Sequence, residues 1–326
     1  MTEKKELAGI SSLSEGMRFE CLPALVVEKK VATAKNGKEY ADLTVRDKTG
    51  SIKCKIWNYY EKDYLAVGRV VTISGEIKSY QGTAQATLTE VLASSQSPEE
   101  YAKGSRFNIE CMWTDVKAIV AKFEEPLTKF VAEKILERYT DLLKKAPAAT
   151  GIHNAWNGGL LEHVWAMCRM APAIIENYKV LYGTPLSADK VYFGLITHDV
   201  GKIWEYDINN PAYPKTGMGL LVNHLVMGPA LVFQMANTWM VSNTENKEKY
   251  CRERDHLMHI MAAHHGQLDW GSPVVPSTIE AIIVHQLDLL DSRVMHAMEL
   301  IEGKDGPIPG FSEKSWSTGT SFMKYN

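Results

Sequence analysis

Five histidines and two aspartates in the C-terminal half of the chain have the types and order expected of a divalent-metal site. They are His163, the pair His198-Asp199, His224, the pair His264-His265, and Asp288. Imidazoles mixed with carboxylates are ligands that Mn²⁺, Fe²⁺ or Zn²⁺ prefer, whereas Mg²⁺ and Ca²⁺ cages use oxygen alone. The series therefore predicts a divalent-metal site.

Each of these residues taken alone also has a structural interpretation. A single histidine in an apolar helix is more often a satisfied core residue than a ligand. The pair His198-Asp199 is different, because it brings a carboxylate into an apolar segment, which is costly without a cation or a donor. Shared metal ligation explains both pairs and the other three candidates together. Spacing leaves Asp288 and Asp291 as competitors, since they lie three residues apart on one predicted helix.

The elements that carry these residues are predicted to be helices, beginning beyond about residue 95. Apolar spacing predicts them over 115–145 with a break at Pro126, then 159–181, 187–202, 219–241, 254–265 and 277–301. Gly201 is expected to close the helix that ends in His198-Asp199. Ser277 and Glu280 are expected to form a capping box. The segment 303–326 is predicted to be an irregular tail.

The N-terminal part has the short alternating runs of β-strands. About five strands are predicted around 25–27, 40–45, 51–57, 70–77 and 84–88, with a hairpin at Lys35-Asn36-Gly37 and a helical insert after the third strand. In the third strand Ile52, Cys54 and Ile56 alternate with Lys53, Lys55 and Trp57. Five short strands of this kind predict a small closed Greek-key barrel.

Composition restricts the class of protein. The chain has 326 residues, of which 45% are hydrophobic and 23% charged, and its net charge of −3 gives no global case for nucleic-acid binding, so any such surface must be local. Its five cysteines contain no CxxC pair, which favours reduced thiols. No apolar signal segment or membrane span is apparent. We expect a soluble cytoplasmic protein without a membrane partner.

The ligand order H…HD…H…HH…D resembles that of the HD-domain metal-dependent phosphohydrolases. Three blocks, 147–163, 197–202 and 264–281, further resemble the YhaM family of 3′→5′ exoribonucleases, over roughly residues 16–300. That family pairs an N-terminal OB-fold with a C-terminal HD domain, which matches the organisation predicted above. Asn154 stands where the family often has a second histidine, and Asp269 where a glutamate is usual.

The resemblance implies a multidomain fold, a small all-β OB-fold barrel followed by an all-α HD-domain bundle. The implied divisions are an N-terminal extension (1–15), an OB-fold nucleic-acid-binding domain (16–95), a linker and helical lead-in (96–150), an HD domain (151–301) and a tail (302–326).

The resemblance also implies roles for the site residues. His163, His198, Asp199 and Asp288 would hold one metal, with Asp288 preferred to Asp291. His224, His264 and His265 would hold a second metal, with Asp199 bridging. The cofactor expected is one or two Mn²⁺, with Fe²⁺, Ni²⁺, Zn²⁺ and Mg²⁺ still open. Asp199 and Lys202 are the candidate catalytic residues, Lys202 either as a countercharge to the scissile phosphate or as a solvated cation at a helix C-terminus.

A local basic and aromatic surface is predicted on the barrel. Its candidate nucleic-acid-binding residues are Lys38, Tyr40, Lys53, Lys55, Trp57 and Tyr80. Basic grooves with stacking aromatics bind single strands without reading their sequence. Lysines also solubilise any small β domain, and some aromatics must be core. Nucleic-acid binding is the favoured interpretation, because a domain resembling a nuclease follows.

The predicted function is a metal-dependent 3′→5′ exonuclease that converts single-stranded RNA to nucleoside 5′-monophosphates. Single-stranded DNA and a homo-oligomeric state are both open. One alternative is a phosphohydrolase of small nucleotides, such as a dNTP, a cyclic dinucleotide or an alarmone, with the barrel as a regulatory module. Another is a single-strand-binding protein with a vestigial metal site, but its complete ligand set argues against decay.

Overall fold

The computed structural model describes residues 9–80, 83–101, 104–149, 156–303, 305–315 and 317–325, without the side chains of Tyr80 and Thr83. The chain divides into two compact units. The first comprises Met1–Lys103, Asn209–Pro214 and Glu299–Asn326, and the second comprises Gly104–Ile208 and Lys215–Met298. Among the described residues, no helix combines the length and apolar character needed to cross a bilayer. The domain boundaries drawn from the sequence stay predictions.

The first unit contains a closed five-stranded barrel, as predicted. Its strands are β1 (Arg18–Thr33), β2 (Glu39–Arg46), β3 (Ser51–Trp57), β4 (Val70–Tyr80) and β5 (Thr83–Ala93). They follow one another around the barrel in the order β1-β2-β3-β5-β4, and β4 pairs with β1 to close it. Only the β3–β5 pairing among these strands is parallel. This is the OB-fold topology.

Alternation along β3 sorts the side chains as predicted. Ile52 and Cys54 are buried in the barrel core and Ile56 is partly buried, whereas Lys53 and Trp57 are exposed. A period of two places successive side chains on opposite faces, so the register fixes which residues reach solvent. The predicted hairpin is also present, because the amide of Ala34 donates to the carbonyl of Lys38 between β1 and β2.

The helical insert predicted after the third strand is wrong. Residues 58–69, all of which the structure describes, form turns and bends. Tyr59 and Leu65 bury their side chains in the barrel core, and the amide of Tyr59 donates to the carbonyl of Glu39. These contacts hold the segment against the barrel in a non-helical conformation.

The second unit is helical. Its helices are α1 (Ile109–Ala121), α2 (Pro126–Arg138), α3 (Thr140–Lys145), α4 (Gly159–Tyr182), α5 (Ala188–Thr197), α6 (Lys202–Glu205), α7 (Gly217–Leu221), α8 (His224–Ser242), α9 (Lys247–Ala263) and α10 (Ile279–Glu302), the last ending beyond the unit. They enclose one apolar core that includes Leu127, Met167, Phe193, Ile260 and Val284.

Several predicted helices are shorter or divided in the structure. The segment 115–145 breaks at Pro126 as predicted, but it begins at Ile109 and breaks again at Tyr139. The segment 219–241 is interrupted at Asn223, whose φ of 69° lies in the left-handed region. The segment 187–202 stops as helix α5 at Thr197. Two of these breaks leave a metal-ligand candidate at a helix end, His198 after α5 and His224 at the start of α8.

Two helix-end predictions are also wrong. Gly201 has right-handed φ and ψ and precedes α6, so it does not close α5. A Cβ there would lie 2.7 Å from both the Cα and the carbonyl oxygen of His224, so glycine is required for close packing. At α10 the Thr278 hydroxyl accepts from the amide of Ala281, while Glu280 accepts from the amide of Ser187 instead of completing a capping box.

The described tail residues have no helix or extended strand, in agreement with the predicted irregular segment. They are nevertheless internally bonded, because isolated bridges join Asp305 to Ser312 and Phe311 to Met323. Ser312 and Ser315 are buried. The tail therefore has a defined local structure, which its Gly, Ser and Pro content did not predict.

Candidate metal centre and nucleic-acid surface

The helical unit brings all seven predicted metal-ligand candidates together from five parts of the chain. His163 lies near the start of α4, His198-Asp199 directly after α5, His224 at the start of α8, His264-His265 directly after α9, and Asp288 inside α10. They form three overlapping triads, in each of which the ligand atoms lie within 4.8 Å of one another. The triads are His163/His198/Asp199, His198/His264/Asp288 and His224/His264/His265.

Asp199 lies between His198 on one side and His224 and His264 on the other. Its Oδ1 is 3.4 Å from Nε2 of His224 and 3.6 Å from Nε2 of His264. Its Oδ2 is 3.3 Å from Nε2 of His198. Separately, Nε2 of His163 lies 3.2 Å from Oδ1 of Asp288. The two oxygens of Asp199 thus face different imidazoles, as a bridging carboxylate requires.

The donor set fits a divalent cation. Across the described part of the chain, six buried side-chain polar atoms have no hydrogen-bond partner, and four of them belong to this cluster. Those four are Nε2 of His198, Oδ1 of Asp199, Nε2 of His224 and Nε2 of His264. A buried polar atom left without a partner costs about 1–3 kcal/mol. A cation accepting these lone pairs removes that cost, and mixed imidazole and carboxylate donors suit Mn²⁺, Fe²⁺ or Zn²⁺.

Every one of the five histidines uses Nδ1 for an anchoring contact. Hydrogen bonding at Nδ1 fixes the ring orientation and leaves the Nε2 lone pair for a metal. Three rings are held by backbone carbonyls, which can only accept, so these rings carry their proton on Nδ1. The contacts are His198 to Leu195 O at 3.2 Å, His264 to Met261 O at 2.5 Å, His265 to Trp270 O at 2.9 Å, His163 to Asp291 Oδ2 at 2.6 Å, and His224 to Glu205 Oε2.

Asp288 and Asp291 contact opposite nitrogens of His163. Asp288 faces Nε2, on the side where the other ligand candidates converge, and Asp291 faces Nδ1. This geometry favours Asp288 as a ligand and Asp291 as a residue that orients His163. Sequence analysis identified Asp291 only as a competitor and missed Glu205 entirely. The spacing of Asp288 and Asp291 was a signal for the first, but nothing in the sequence around Glu205 pointed to His224.

Lys202 is a partly enclosed cation paired with the central carboxylate. Its Nζ lies 2.6 Å from Oδ2 of Asp199 and also donates to the carbonyl of Ala148. Burial acts to raise the pKa of Asp199, but Lys202 and His198 hold it well below its usual value. Burial acts to lower the pKa of Lys202, but Asp199 raises it. Because Lys202 begins α6 and its side chain is only 15% exposed, the solvated helix-end interpretation is wrong.

The carboxylates and imidazoles of the cluster shift one another's pKa values. Burial opposes protonation of His163, yet the carboxylates of Asp288 and Asp291 raise its pKa to about 10. Burial likewise acts to raise the pKa of Asp288, but His163 lowers it below its usual range. In contrast, burial and the neighbouring His264 lower the pKa of His265 to about 4. A divalent cation would replace the proton on His163, since metal binding displaces ligand protons.

Two other histidines make contacts that support the fold around the cluster. His285 donates from Nδ1 to the carbonyl of His264, 2.7 Å away, and so supports a ligand candidate's backbone. His259 accepts from the amide of Ser277. His153 and the neighbouring departure Asn154 lie outside the described residues. Asp269 lies in a short, exposed 3₁₀ turn, Leu268–Trp270.

The barrel groups three of the six predicted nucleic-acid residues. Tyr40 and Trp57 are cross-strand partners whose ring centroids lie 5.5 Å apart. The Nζ of Lys55 lies 4.5 Å from the Tyr40 centroid and 5.0 Å from that of Trp57, and it also pairs with Asp42 at 3.2 Å. Trp57 is 53% exposed. Aromatic faces beside a cation form a surface on which bases stack.

The other three candidates extend or fall outside this cluster. Lys53 is exposed on the same face of β3 as Lys55 and Trp57. Lys38 is exposed in the turn before β2. Tyr80 ends β4, but its side chain lies outside the described residues. The described part of the predicted surface therefore consists of the compact group Tyr40, Lys55 and Trp57, with Lys38 and Lys53 outside it.

Two regions of the chain match known protein families. Residues 24–93 match a family described as an OB-fold nucleic acid binding domain, and residues 160–293 match the HD domain. The chain combines an OB-fold with an HD domain. The fold class predicted from the sequence is confirmed. All seven metal-ligand candidates fall within the matched HD region, and Tyr40, Lys53, Lys55, Trp57 and Tyr80 fall within the matched OB region.

Relatives that cover most of the chain have the same name in several bacteria. A protein named 3′-5′ exoribonuclease YhaM from Listeria welshimeri is 28% identical over 269 residues, covering 80% of this chain and 81% of its own. A protein of the same name from Oceanobacillus iheyensis is 26% identical over 293 residues, covering 88% and 87%. The resemblance noted in the three sequence blocks is confirmed.

One of the solved structures similar to part of this chain is an OB-fold domain. It is the solution NMR structure of the second OB-fold domain of replication protein A from Methanococcus maripaludis, at 25% identity and a TM-score of 0.22. The match covers 27% of this chain and 94% of that one.

Proposed function

We propose that this protein is a metal-dependent 3′→5′ exonuclease that hydrolyses single-stranded RNA to nucleoside 5′-monophosphates. The observation that carries the proposal is the convergence of four unpartnered buried ligand atoms at Asp199, in a chain that also has an OB-fold. Curated relatives named 3′-5′ exoribonuclease over most of the chain support the polarity and the polymer. They favour this activity over hydrolysis of small nucleotides.

The proposed ligand assignment follows the contacts of Asp199. His163, His198, Asp199 and Asp288 would hold one metal, and His224, His264 and His265 would hold a second, with Asp199 shared. We propose Mn²⁺ as the metal. Bound metals would supply Lewis acid chemistry, activating water and stabilising the oxygens of the phosphoryl group. The anchored Nδ1 contacts support this assignment, since they aim each Nε2 at the cluster.

Lys202 would perform two tasks in this site. Its contact with Oδ2 of Asp199 holds the central carboxylate in place. Its charge would also offset the negative charge that develops on the scissile phosphate. Both tasks depend on a low local dielectric, which strengthens a charge–charge interaction, and the burial of Asp199 supplies it.

The barrel would bind the single strand without reading its sequence. Tyr40 and Trp57 would stack on bases, while Lys38, Lys53 and Lys55 would contact phosphates. We propose that Tyr80 contributes a further ring. The five cysteines are all free, which fits a reducing compartment such as the cytoplasm.

Product analysis tests the proposed reaction. Unlabelled single-stranded RNA would be digested by the Mn²⁺-loaded protein, and the products separated by chromatography against mononucleotide standards. We expect nucleoside 5′-monophosphates from the earliest time points. Nucleoside 3′-monophosphates, 2′,3′-cyclic phosphates or an initial population of long internal fragments would refute the proposal.

A further inference from the structure

We infer that Glu205 is a positioning residue for His224, and that it sets the metal affinity of the position formed by His224, His264 and His265. The inference rests on the proposed function, since it assigns the support of one of its two proposed metal positions. No sequence motif points to Glu205. Its role emerges only from contacts across the start of α8.

Glu205 holds His224 at two points. It is the last residue of α6 and is 1% exposed. Its Oε2 accepts from the backbone amide of His224 at 3.2 Å and contacts Nδ1 of the same residue. His224 is the first residue of α8, so its amide is one of the donors that an α-helix leaves unsatisfied. One carboxylate oxygen thus fixes both the backbone and the ring.

The second oxygen of Glu205 is also engaged. Oε1 lies 2.6 Å from Nζ of Lys215, whose side chain is 41% exposed. This pairing orients the carboxylate. An ionised acceptor makes a stronger hydrogen bond than a neutral carbonyl does. The imidazole of His224 therefore becomes the better donor to a cation at its Nε2.

The other two histidines of this position are held differently. His264 and His265 donate to the carbonyls of Met261 and Trp270, both within the local chain. His224 is thus the one imidazole of the three whose orientation and donor strength depend on a distant side chain. In the other proposed position, Asp291 contacts Nδ1 of the His163 ring. Each proposed metal position therefore contains one imidazole held by a carboxylate, which a chance buried ion pair does not explain.

The backbone of Glu205 is held independently of its side chain. The carbonyl of Glu205 accepts from the amide of Thr216 at 2.9 Å, and the Thr216 hydroxyl donates to the carbonyl of Trp204 at 2.6 Å. A substitution of the carboxylate therefore leaves these bonds in place. Glu205→Gln also keeps an oxygen that can accept from Nδ1 of His224 while removing the charge.

Calorimetric titration of metal-free protein with Mn²⁺ tests the inference. We expect wild type to bind two ions, and Glu205→Ala to lose about 10- to 100-fold in affinity for one of them while the other is unchanged. Glu205→Gln should show a smaller loss at the same ion. Asp291→Asn should weaken the other ion, and Glu248→Gln, an exposed change on α9, should weaken neither.

An electron paramagnetic resonance spectrum of the Mn²⁺-loaded proteins gives a second readout. Wild type should show coupling between the two ions, and Glu205→Ala should lose it at Mn²⁺ concentrations that saturate wild type. Wild-type affinities and coupling in Glu205→Ala would overturn the inference, as would a wild type that binds fewer than two ions. If circular dichroism shows that Glu205→Ala is unfolded, the outcome of Glu205→Gln decides.

Failure of the proposed function would look different. A wild type that binds two Mn²⁺ ions but does not hydrolyse RNA would refute the exonuclease, while the affinity difference in Glu205→Ala would still support the positioning role. Conversely, active wild type and an unchanged Glu205→Ala would refute the positioning role alone.

Discussion

Lys202→Met would test how much the central carboxylate depends on its lysine. The Nζ of Lys202 lies 2.6 Å from Oδ2 of Asp199, and the two side chains are only 15% and 5% exposed. Removing one partner of a buried ion pair costs about 3–5 kcal/mol. Asp199 keeps its neighbouring imidazoles in this variant. We therefore expect the metal-free protein to lose about 3 kcal/mol of unfolding free energy, the lower end of that range. A bound cation should compensate Asp199 and reduce that loss.

Thermal unfolding measured with and without Mn²⁺ gives the stability change. At about 2–4 °C per kcal/mol for a unit of this size, the Tm of metal-free Lys202→Met should fall by roughly 6–12 °C. The fall should be smaller with Mn²⁺ present, although turnover of RNA should drop about 10²- to 10³-fold through lost charge stabilisation.

The matched control for this change is Lys134→Met on α2, where an exposed pair with Glu137 contributes about 0–1 kcal/mol. A metal-free Lys202→Met protein with the Tm of wild type would refute the buried-pair argument. An equal fall in Tm with and without Mn²⁺ would refute the claim that the cation and Lys202 compensate the same carboxylate.

Three further predictions test other parts of the site. The pKa of His163 is raised to about 10 in the metal-free fold, so its protonated form should stabilise that fold fully below about pH 6.5, an advantage lost as pH rises through 10. Urea unfolding should therefore show a difference between wild type and His163→Gln that shrinks from pH 6.5 to 10, and a constant difference would contradict this. Trp57→Ala should weaken single-stranded RNA binding by about 1–3 kcal/mol in fluorescence anisotropy. Hydrolysis of a small phosphodiester should be unchanged, and an affinity matching that of a Tyr182→Ala control would count against the barrel surface. Gly201→Ala should displace His224, destabilise the fold by about 1–3 kcal/mol and weaken Mn²⁺ binding; unaltered Mn²⁺ affinity would show that this close packing does not matter.

The ligand candidates could be found from the sequence because their residue types and their order along the chain indicate metal binding. Adjacent pairs such as His198-Asp199 are conspicuous among apolar residues, and the alternation of Ile52, Lys53 and Cys54 specifies a barrel strand whatever the partner strands are. These signals are local. They do not depend on knowing which segments meet.

The residues that hold the ligands could not be found in that way. Asp291 reaches His163 across 128 positions of the chain, and Glu205 reaches His224 across a break between helices. Gly201 resembled a helix end. Glycine is needed there because a Cβ would collide with the backbone of His224. Residues 58–69 were predicted to contain a helical insert, but Tyr59 and Leu65 pack into the barrel core and the segment forms turns and bends. In each case the deciding contact is tertiary.

Cleavage of 5′-end-labelled single-stranded RNA, with a DNA strand of the same sequence in parallel, tests the proposed exonuclease most directly. Wild type and Asp199→Ala would be loaded with Mn²⁺ and compared over time on a denaturing gel. We predict a descending ladder from wild type on RNA and none from Asp199→Ala. Intact strands of both polymers with metal-loaded wild type, or an undiminished ladder from Asp199→Ala, would contradict the assignment of this metal centre to 3′→5′ hydrolysis.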